Sequence, residues 1–415
     1  MREHYDLVII GGGMVGASLA VAMIAAARRL GMSIAVIEAF AMPDDQALEY
    51  QPSYDGRATA LAYGSRTIYQ QIGIWDTLAA ELTPIDQIHV SDRGHFGAAR
   101  MNARDEGVDA LGYVVENHWL GKVLLNKLSQ PEAEVVDYIC PATVTDIQFQ
   151  PQQVQVVVEK DGQATQLTTE LVLMSDGGRS ELREKIGLGY RDTSYQQYAV
   201  VANVTPDRPH QQVAWERFTD AGPMALLPLS DIAGEPRCGL VWTVPDDDIA
   251  EVLGLEDEDF LDLLQQRFGY RAGRFVKVGE RASYPLKLSL AEEQVRSGLV
   301  VLGNAAHALH PIAGQGYNLA LRGVAALAEK LIDARERQVS LGDLEVLQAY
   351  YQRQSSDQQR TIGFSDLTMK LFSNDHPALT LGRDLGLQLL DICSPARTLF
   401  ARSAMGIDQP APKLK

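Results

Sequence analysis

The chain has 415 residues and a mass of 45.5 kDa, more than one compact core ordinarily holds, so two closely joined units are expected. Its 37 basic and 54 acidic side chains leave a formal charge of −17 and a pI near 4.9, which argues against a nucleic-acid binder and against docking on anionic lipid by overall charge. At 46% hydrophobic and 22% charged residues, the composition is that of a folded globular protein rather than a disordered one.

The chain opens on a short apolar run, Tyr5 to Ile10, closed by three glycines, which reads as a buried parallel strand, and no signal peptide is expected before it. A small-residue helix from about Met14 to Leu30 and a second strand, Ser33 to Ile37, complete a βαβ opening. Residues 41–56 read as a loop and Thr59 to Leu82 as helix broken near Gly73. Alternation over 85–116 predicts strands of an inserted sheet, Trp119 to Leu128 a helix, and Val135 to Leu173 a meander that returns to the first sheet. Residues 190–285 carry further strands (Tyr198 to Val204, Met224 to Leu229, Cys238 to Val244), interrupted by a helix from Asp257 to Phe268. A buried strand, Leu299 to Leu302, precedes a glycine-rich loop and a helix from Gly316 to about Arg335, and the last eighty residues are mainly helical. No stretch approaches the ~18 uninterrupted apolar residues of a membrane-spanning helix. Cys140, Cys238 and Cys393 lie too far apart for metal-ligand spacing and are odd in number, so reduced thiols, no metal and a cytoplasmic setting are expected.

Gly11, Gly13 and Gly16 form G-x-G-x-x-G at the junction of the first strand and helix. Gly11 allows the tight turn, Gly13 lets backbone approach a pyrophosphate, and Gly16 lets the helix pack on the strand. Glu38 ends the second strand 22 residues after Gly16, where a carboxylate can accept hydrogen bonds from ribose hydroxyls. This fingerprint fits NAD and FAD equally. A second glycine site, Gly303-Asn304-Ala305-Ala306 through Gly314-Gln315-Gly316, again follows a strand and opens a helix. Two such sites suit a long dinucleotide whose far end must be held, and FAD is such a ligand.

The run from Gly303 to Asn318, with His307, Pro311, Gly314, Gln315 and Gly316, resembles the single-component flavoprotein monooxygenases typified by para-hydroxybenzoate hydroxylase. Asn304 departs from the family's Asp, which binds the ribityl chain. A third family motif appears as Asp176, Gly177, Ser180 and Arg183, near the flavin pyrophosphate in the family. Arg57, in Asp55-Gly56-Arg57-Ala58, stands where the family places an arginine beside the FAD phosphates. These segments, with Val90 to His95, Glu216 to Thr219 and Leu227-Pro228, are similar to the branch that hydroxylates prenylated phenol precursors of ubiquinone. Gly323 stands where that branch commonly has Asp, a departure expected to touch only a helix-surface contact.

The resemblance implies an α/β fold. A Rossmann-like FAD-binding domain (1–80, 110–185 and 285–340) is interleaved with a mixed β-sheet substrate domain (81–109 and 186–284), followed by a helical C-terminal region (341–415). It implies an FAD-dependent aromatic-ring monooxygenase using O2 and NAD(P)H through a flavin hydroperoxide, with a prenylated methoxyphenol as substrate. Pro311 matches the proline beside the flavin; His310, His307 and Arg217 are candidates around the ring, although a structural hydrogen bond is the favoured reading of either histidine and a solvated arginine paired with a neighbouring acid explains Arg217 at least as well. A lipid-tailed substrate implies delivery by a membrane surface or a quinone-biosynthesis complex, and the apolar residues of Pro377 to Ile407 suggest an amphipathic helix covering the core or meeting a partner. Hydroxylation at another ring position and a flavin-bearing scaffold are the competing readings.

Overall fold

The structure is a computed structural model that describes residues 1–42, 57–94, 97–178, 181–309, 314–372, 388, 391–407 and 412–414. Its first sheet is built on parallel strands in the order β19 (Leu299–Val301), β11 (Gln163–Met174), β1 (His4–Ile10), β2 (Ile34–Ile37) and β8 (Val136–Ile139). Antiparallel β18 (Val295–Arg296) closes one edge, while β9 (Thr143–Phe149) and β10 (Val154–Lys160) extend from β11. The near-continuous apolar sequence of β1 follows from burial on both faces. Leu7 and Ile9 pack on one side and Val8 and Ile10 on the other.

Helix α1 (Met14–Leu30) covers one face, between α5 (Asn117–Leu128) and α9 (Gln315–Glu336). Ala17, Ala20 and Ala27 are fully buried, so close helix contact explains much of the small-residue composition. Gly323 on α9 is buried too: a Cβ there would lie 2.8 Å from Leu302 Cδ1. The expected helix-surface position is therefore a packing position, where a side chain would require Leu302 to shift.

The second sheet has nine strands, in the order β20 (His307–Ala308), β17 (Ala282–Ala291), β12 (Tyr190–Pro206), β15 (Glu235–Pro245), β14 (Gly222–Ile232), β13 (Val213–Thr219), β5 (Gln87–Asp92) and β6 (Ala98–Asn102), with β16 (Phe275–Val278) also on β12. All pairs are antiparallel except β13 with β5, so the sheet is mixed. Because β17 crosses position 285 and β20 lies beyond it, this sheet draws on sequence that the domain boundaries above gave to the nucleotide-binding unit. One face is covered by α7 (Ile249–Gly254) and α8 (Asp257–Phe268), whose Phe260, Leu264 and Phe268 pack on Trp215, Met224 and Trp242.

Between the two sheets lies a three-stranded antiparallel sheet, β3 (Ala58–Ala62), β7 (Gly112–Glu116) and β4 (Thr83–Ile85). Here the helix expected from Thr59 is corrected: residues 58–62 form a strand, and helix starts only with α2 (Tyr63–Gln71) and the short α3 (Trp75–Leu78), separated by Gly73 at φ 73°. Alanine favours helix, but five paired residues along β7 and close contacts on both sides override that preference. The remaining helices are the short α4 (Ala103–Glu106) and α6 (Leu182–Lys185), the long α10 (Leu344–Phe372), and a last helix, Ser394–Ala404. Arg322 of α9 and Asp357 of α10 tie these two helices by a largely buried pair of bonds, 2.7 and 3.2 Å. In the C-terminal stretch 373–387 and 389–390 lie outside the described residues; of the rest, Ala401 and Met405 are buried against Met101 and Leu111, whereas Ile392 and Leu399 are exposed. Among the described helices none is long and apolar enough to cross a membrane.

Candidate active site

Three glycine-containing turns meet at the carboxyl ends of β1, β11 and β19, where parallel sheets commonly bind ligands. Gly11 takes φ 95°, and a Cβ on it would lie 2.7 Å from Ser175 O; one on Gly16 would overlap Gly11 O. The loop is thus packed against the turn after β11, which Ser175 clasps by donating through Oγ to Ile10 O and Gly11 O. Gly303, φ 67°, packs on Val15, and Gly178 lies against Ala305. The first glycine loop, the Asp176-Gly177 turn and the Gly303 turn therefore form one continuous cradle.

The electrostatics of this cradle suit an anion. Helix α1 starts at Gly13 and α9 at Gly314, and neither start has a side-chain cap. The first N–H groups of both helices therefore lack intrahelical or capping partners, at the positive end of each helix dipole. Glu38 is buried; one oxygen accepts from Gly12 N at 2.7 Å and the other from Phe40 N at 3.0 Å. Asp176 accepts from Gly178 N at 3.0 Å, which holds its turn, with Gly177 exposed beside it. Asn304 is exposed between buried Gly303 and Ala305.

Several partners gave no signal in the sequence. Tyr138 of β8 donates to Gly12 O, and Tyr190 of β12 donates to Ala305 O at 2.7 Å while lying 5.0 Å beneath Arg183. Each is a tyrosine far along the chain whose role exists only once β8 or β12 is in place. The Arg57 guanidinium sits 4.4 Å over the Tyr284 ring, linking the start of β3 to the second sheet. Asn318 has no capacity left for a ligand: its Oδ1 accepts from Ala62 N and Ser65 Oγ, and its Nδ2 donates to Ala60 O and Gly314 O. Its part is to fix β3 against the loop that ends at Gly314; Gln315 and Gly316 are half-buried in the turn that follows.

On the face of the second sheet opposite α7 and α8, Val201, Val241, Ala225, Glu216 and Val90 form one row across five strands. All five are partly exposed, four of them apolar and Glu216 charged, so the row is a candidate floor for a ligand. Ala214 and Leu227 in the next row pack with Ala58 and Ala60, and Ala60 in turn meets Gly314. The second glycine loop and the apolar floor thus share one side of the molecule.

Arg217 is not brought there. It pairs across the sheet with Met224, itself opposite Trp242, on the face that α8 covers, with an Nη atom 3.8 Å from the Cβ position of Gly269. Strand alternation sends it to the opposite face from Glu216. His307 is 1% exposed with neither ring nitrogen hydrogen-bonded among the described residues, so the expected structural hydrogen bond is not seen. Burial pushes this imidazole down to about 4, with Asp357 and Arg322 as the charges acting on it, and it is neutral at pH 7. His310, Pro311 and Ser180 lie outside the described residues.

The sequence profile of the FAD binding domain family matches residues 4–362. The chain is 36% identical to the ubiquinone hydroxylase UbiL of Rhodospirillum rubrum, covering 97% of this chain and 89% of that one. It is 29% identical to the 3-demethoxyubiquinol 3-hydroxylase of Escherichia coli over 98% and 100% of the two chains. Among solved structures, the p-nitrophenol 4-monooxygenase PnpA of Pseudomonas putida superimposes with a TM-score of 0.76 at 19% identity, covering 99% and 100%. The flavin-dependent brominase Bmp2 gives 0.73 at 18% identity, covering 97% and 94%, so the shared fold serves more than one chemistry.

Proposed function

The chain belongs to the FAD binding domain family and is an FAD-dependent monooxygenase, and from that premise we propose that it hydroxylates the ring of a prenylated phenol in ubiquinone biosynthesis. The observation that carries this is the adjacency of the glycine cradle and the candidate floor, linked through Ala60 and Gly314. A 2-octaprenyl-6-methoxyphenol-like ring is the proposed substrate, with NAD(P)H as electron donor and O2 as co-substrate.

The residues present fit FAD. Gly11, Gly13, Gly16 and the first turn of α1 would take the pyrophosphate, Glu38 a ribose, and Arg57, Asp176 and Gly177 the adjoining phosphate region. Gly303 and Asn304 would hold the ribityl chain, and Gly314, Gln315 and Gly316 the ring end; Asn318 acts by bracing them. Bound there, the flavin supplies the activation of O2. The chain's own part is to hold the ring over Val201, Val241 and Ala225 and to keep water out with their apolar surface. Pro311 and His310 remain candidates beside the ring, whereas Arg217 is withdrawn from that set because of the face it occupies.

The test has two parts. Purified protein loaded with FAD should oxidise NAD(P)H faster when a methoxyphenol with a short prenyl tail is added, with oxygen uptake and hydroxylated product. Deletion of the gene should accumulate a prenylated methoxyphenol. Unchanged quinone content in the deletion strain, together with no phenol-dependent oxidation, would defeat the assignment.

A further inference from the structure

The row that crosses the second sheet holds one charged side chain. Val201, Val241, Ala225 and Val90 are apolar, and Glu216, half-buried, stands between Ala225 and Val90. Its neighbours along β13 on the same face, Ala214 and Phe218, are apolar and buried.

The row begins beside the cradle. Gly239, in register with Asn203, lies against Ala58, and Ala199 pairs with Tyr284, whose ring lies under the Arg57 guanidinium. Val201 and Val241 pair between those two positions, so Arg57 and Ala58 flank that end of the row. Glu216 is two strands further on from Val241, a distance of about 10 Å. A phenol ring laid along this span has its reacting carbon towards the cradle and its hydroxyl towards the carboxylate. A prenylated methoxyphenol carries one hydrogen-bond donor, that hydroxyl, and an ionised carboxylate only accepts.

We propose that Glu216 holds the phenol hydroxyl and takes its proton during ring hydroxylation. This rests on the reading of the chain as a phenol hydroxylase given above. As the ring carbon forms its bond to oxygen, electron density leaves the phenol oxygen and its O–H becomes strongly acidic. That O–H bond breaks towards a Glu216 carboxylate oxygen and leaves a ring carbonyl. The attacked carbon then loses its hydrogen as a proton, the ring becomes aromatic again, and Glu216 returns its proton to the former hydroxyl oxygen. O2 supplies the new oxygen atom and its second atom leaves as water. NAD(P)H supplies the two electrons, so the carboxylate ends as it began. Negative charge placed where positive charge develops binds the transition state more tightly than the resting phenol, which is the condition for raising kcat.

The test compares a methoxyphenol bearing a short prenyl tail with its O-methyl ether, which has no donor. Binding is measured by calorimetry on FAD-loaded full-length protein without NAD(P)H, so nothing turns over. Wild type should bind the phenol at least about tenfold more tightly than the ether, the worth of one charge-assisted hydrogen bond. Glu216→Gln, of the same size, should bring that ratio to within about threefold. With NAD(P)H and O2, its rate of product formation should fall by about a hundredfold, with flavin content and melting temperature as in wild type. Equal binding of phenol and ether by wild type would overturn the proposal without recourse to any variant. So would an undiminished preference, or a wild-type rate of product formation, in Glu216→Gln, and in that case the hydroxylation itself stands. Wild type that prefers the phenol yet forms no hydroxylated product would instead sink the hydroxylation.

Discussion

The sharpest consequences at the scale of single residues concern His307 and Gly13. His307 is neutral in the fold, with its value lowered to about 4 from an ordinary 6.5. Between those two values the unfolded chain binds more protons than the folded one, so stability falls as pH falls from 6.5 towards 4. The full effect for this buried group is on the order of 3 kcal/mol. His307→Asn should therefore unfold with a shallower acid dependence than wild type, read as melting temperature against pH; parallel curves would show that the imidazole is not held neutral. Gly13 begins α1 with extended backbone and a negative φ, so a side chain there strains no backbone torsion. Gly13→Val should yield protein with native helix content that is colourless after purification, because the side chain occupies the proposed pyrophosphate position. Full flavin retention in that variant would move the first site elsewhere.

Elements place these residues, and the strongest placements come from strands that the sequence does not mark. Strand β3 carries alanines because it lies between a glycine of β15 and a glycine of the second loop; Cβ positions on Gly239 and Gly314 would sit 3.5 and 3.2 Å from Ala58 and Ala60. The candidate floor depends in turn on the register of β12, β15, β14, β13 and β5. Ala225 stands at its centre, so Ala225→Phe should fill the space proposed for the phenol ring. We expect kcat/KM for the phenol to fall by about tenfold or more, with bound flavin and melting temperature little changed. Unaltered phenol kinetics would remove the floor from the substrate site. Arg217 illustrates the same dependence from the other direction: one step along β13 from Glu216, it faces α8.

For the whole molecule the two large sheets are joined by β20 and by Tyr190 on Ala305, while the Arg57–Tyr284 stacking ties the small sheet to the second one. Ligand held in the cradle should thus stabilise both. Added FAD at a hundred times its dissociation constant contributes about 2.7 kcal/mol, and one unfolding transition should shift upward as a unit. Two transitions, only one of them responsive, would show that the sheets unfold independently.

The βαβ opening, the helix Asp257–Phe268, the buried strand before Gly303 and the three family motifs were legible in the sequence because each rests on neighbours in the chain: apolar periodicity, glycine spacing, an acid at a strand end. The cofactor class followed from those motifs. What only the tertiary structure decided was long-range: β3 as strand, Asn318 as a brace, Gly323 as a packing position, Tyr138 and Tyr190 as supports, and the side of the sheet on which Arg217 lies. These depend on contacts between residues tens to hundreds of positions apart. No local pattern encodes such contacts, because a side chain's partner across a sheet is set by register and by what covers each face.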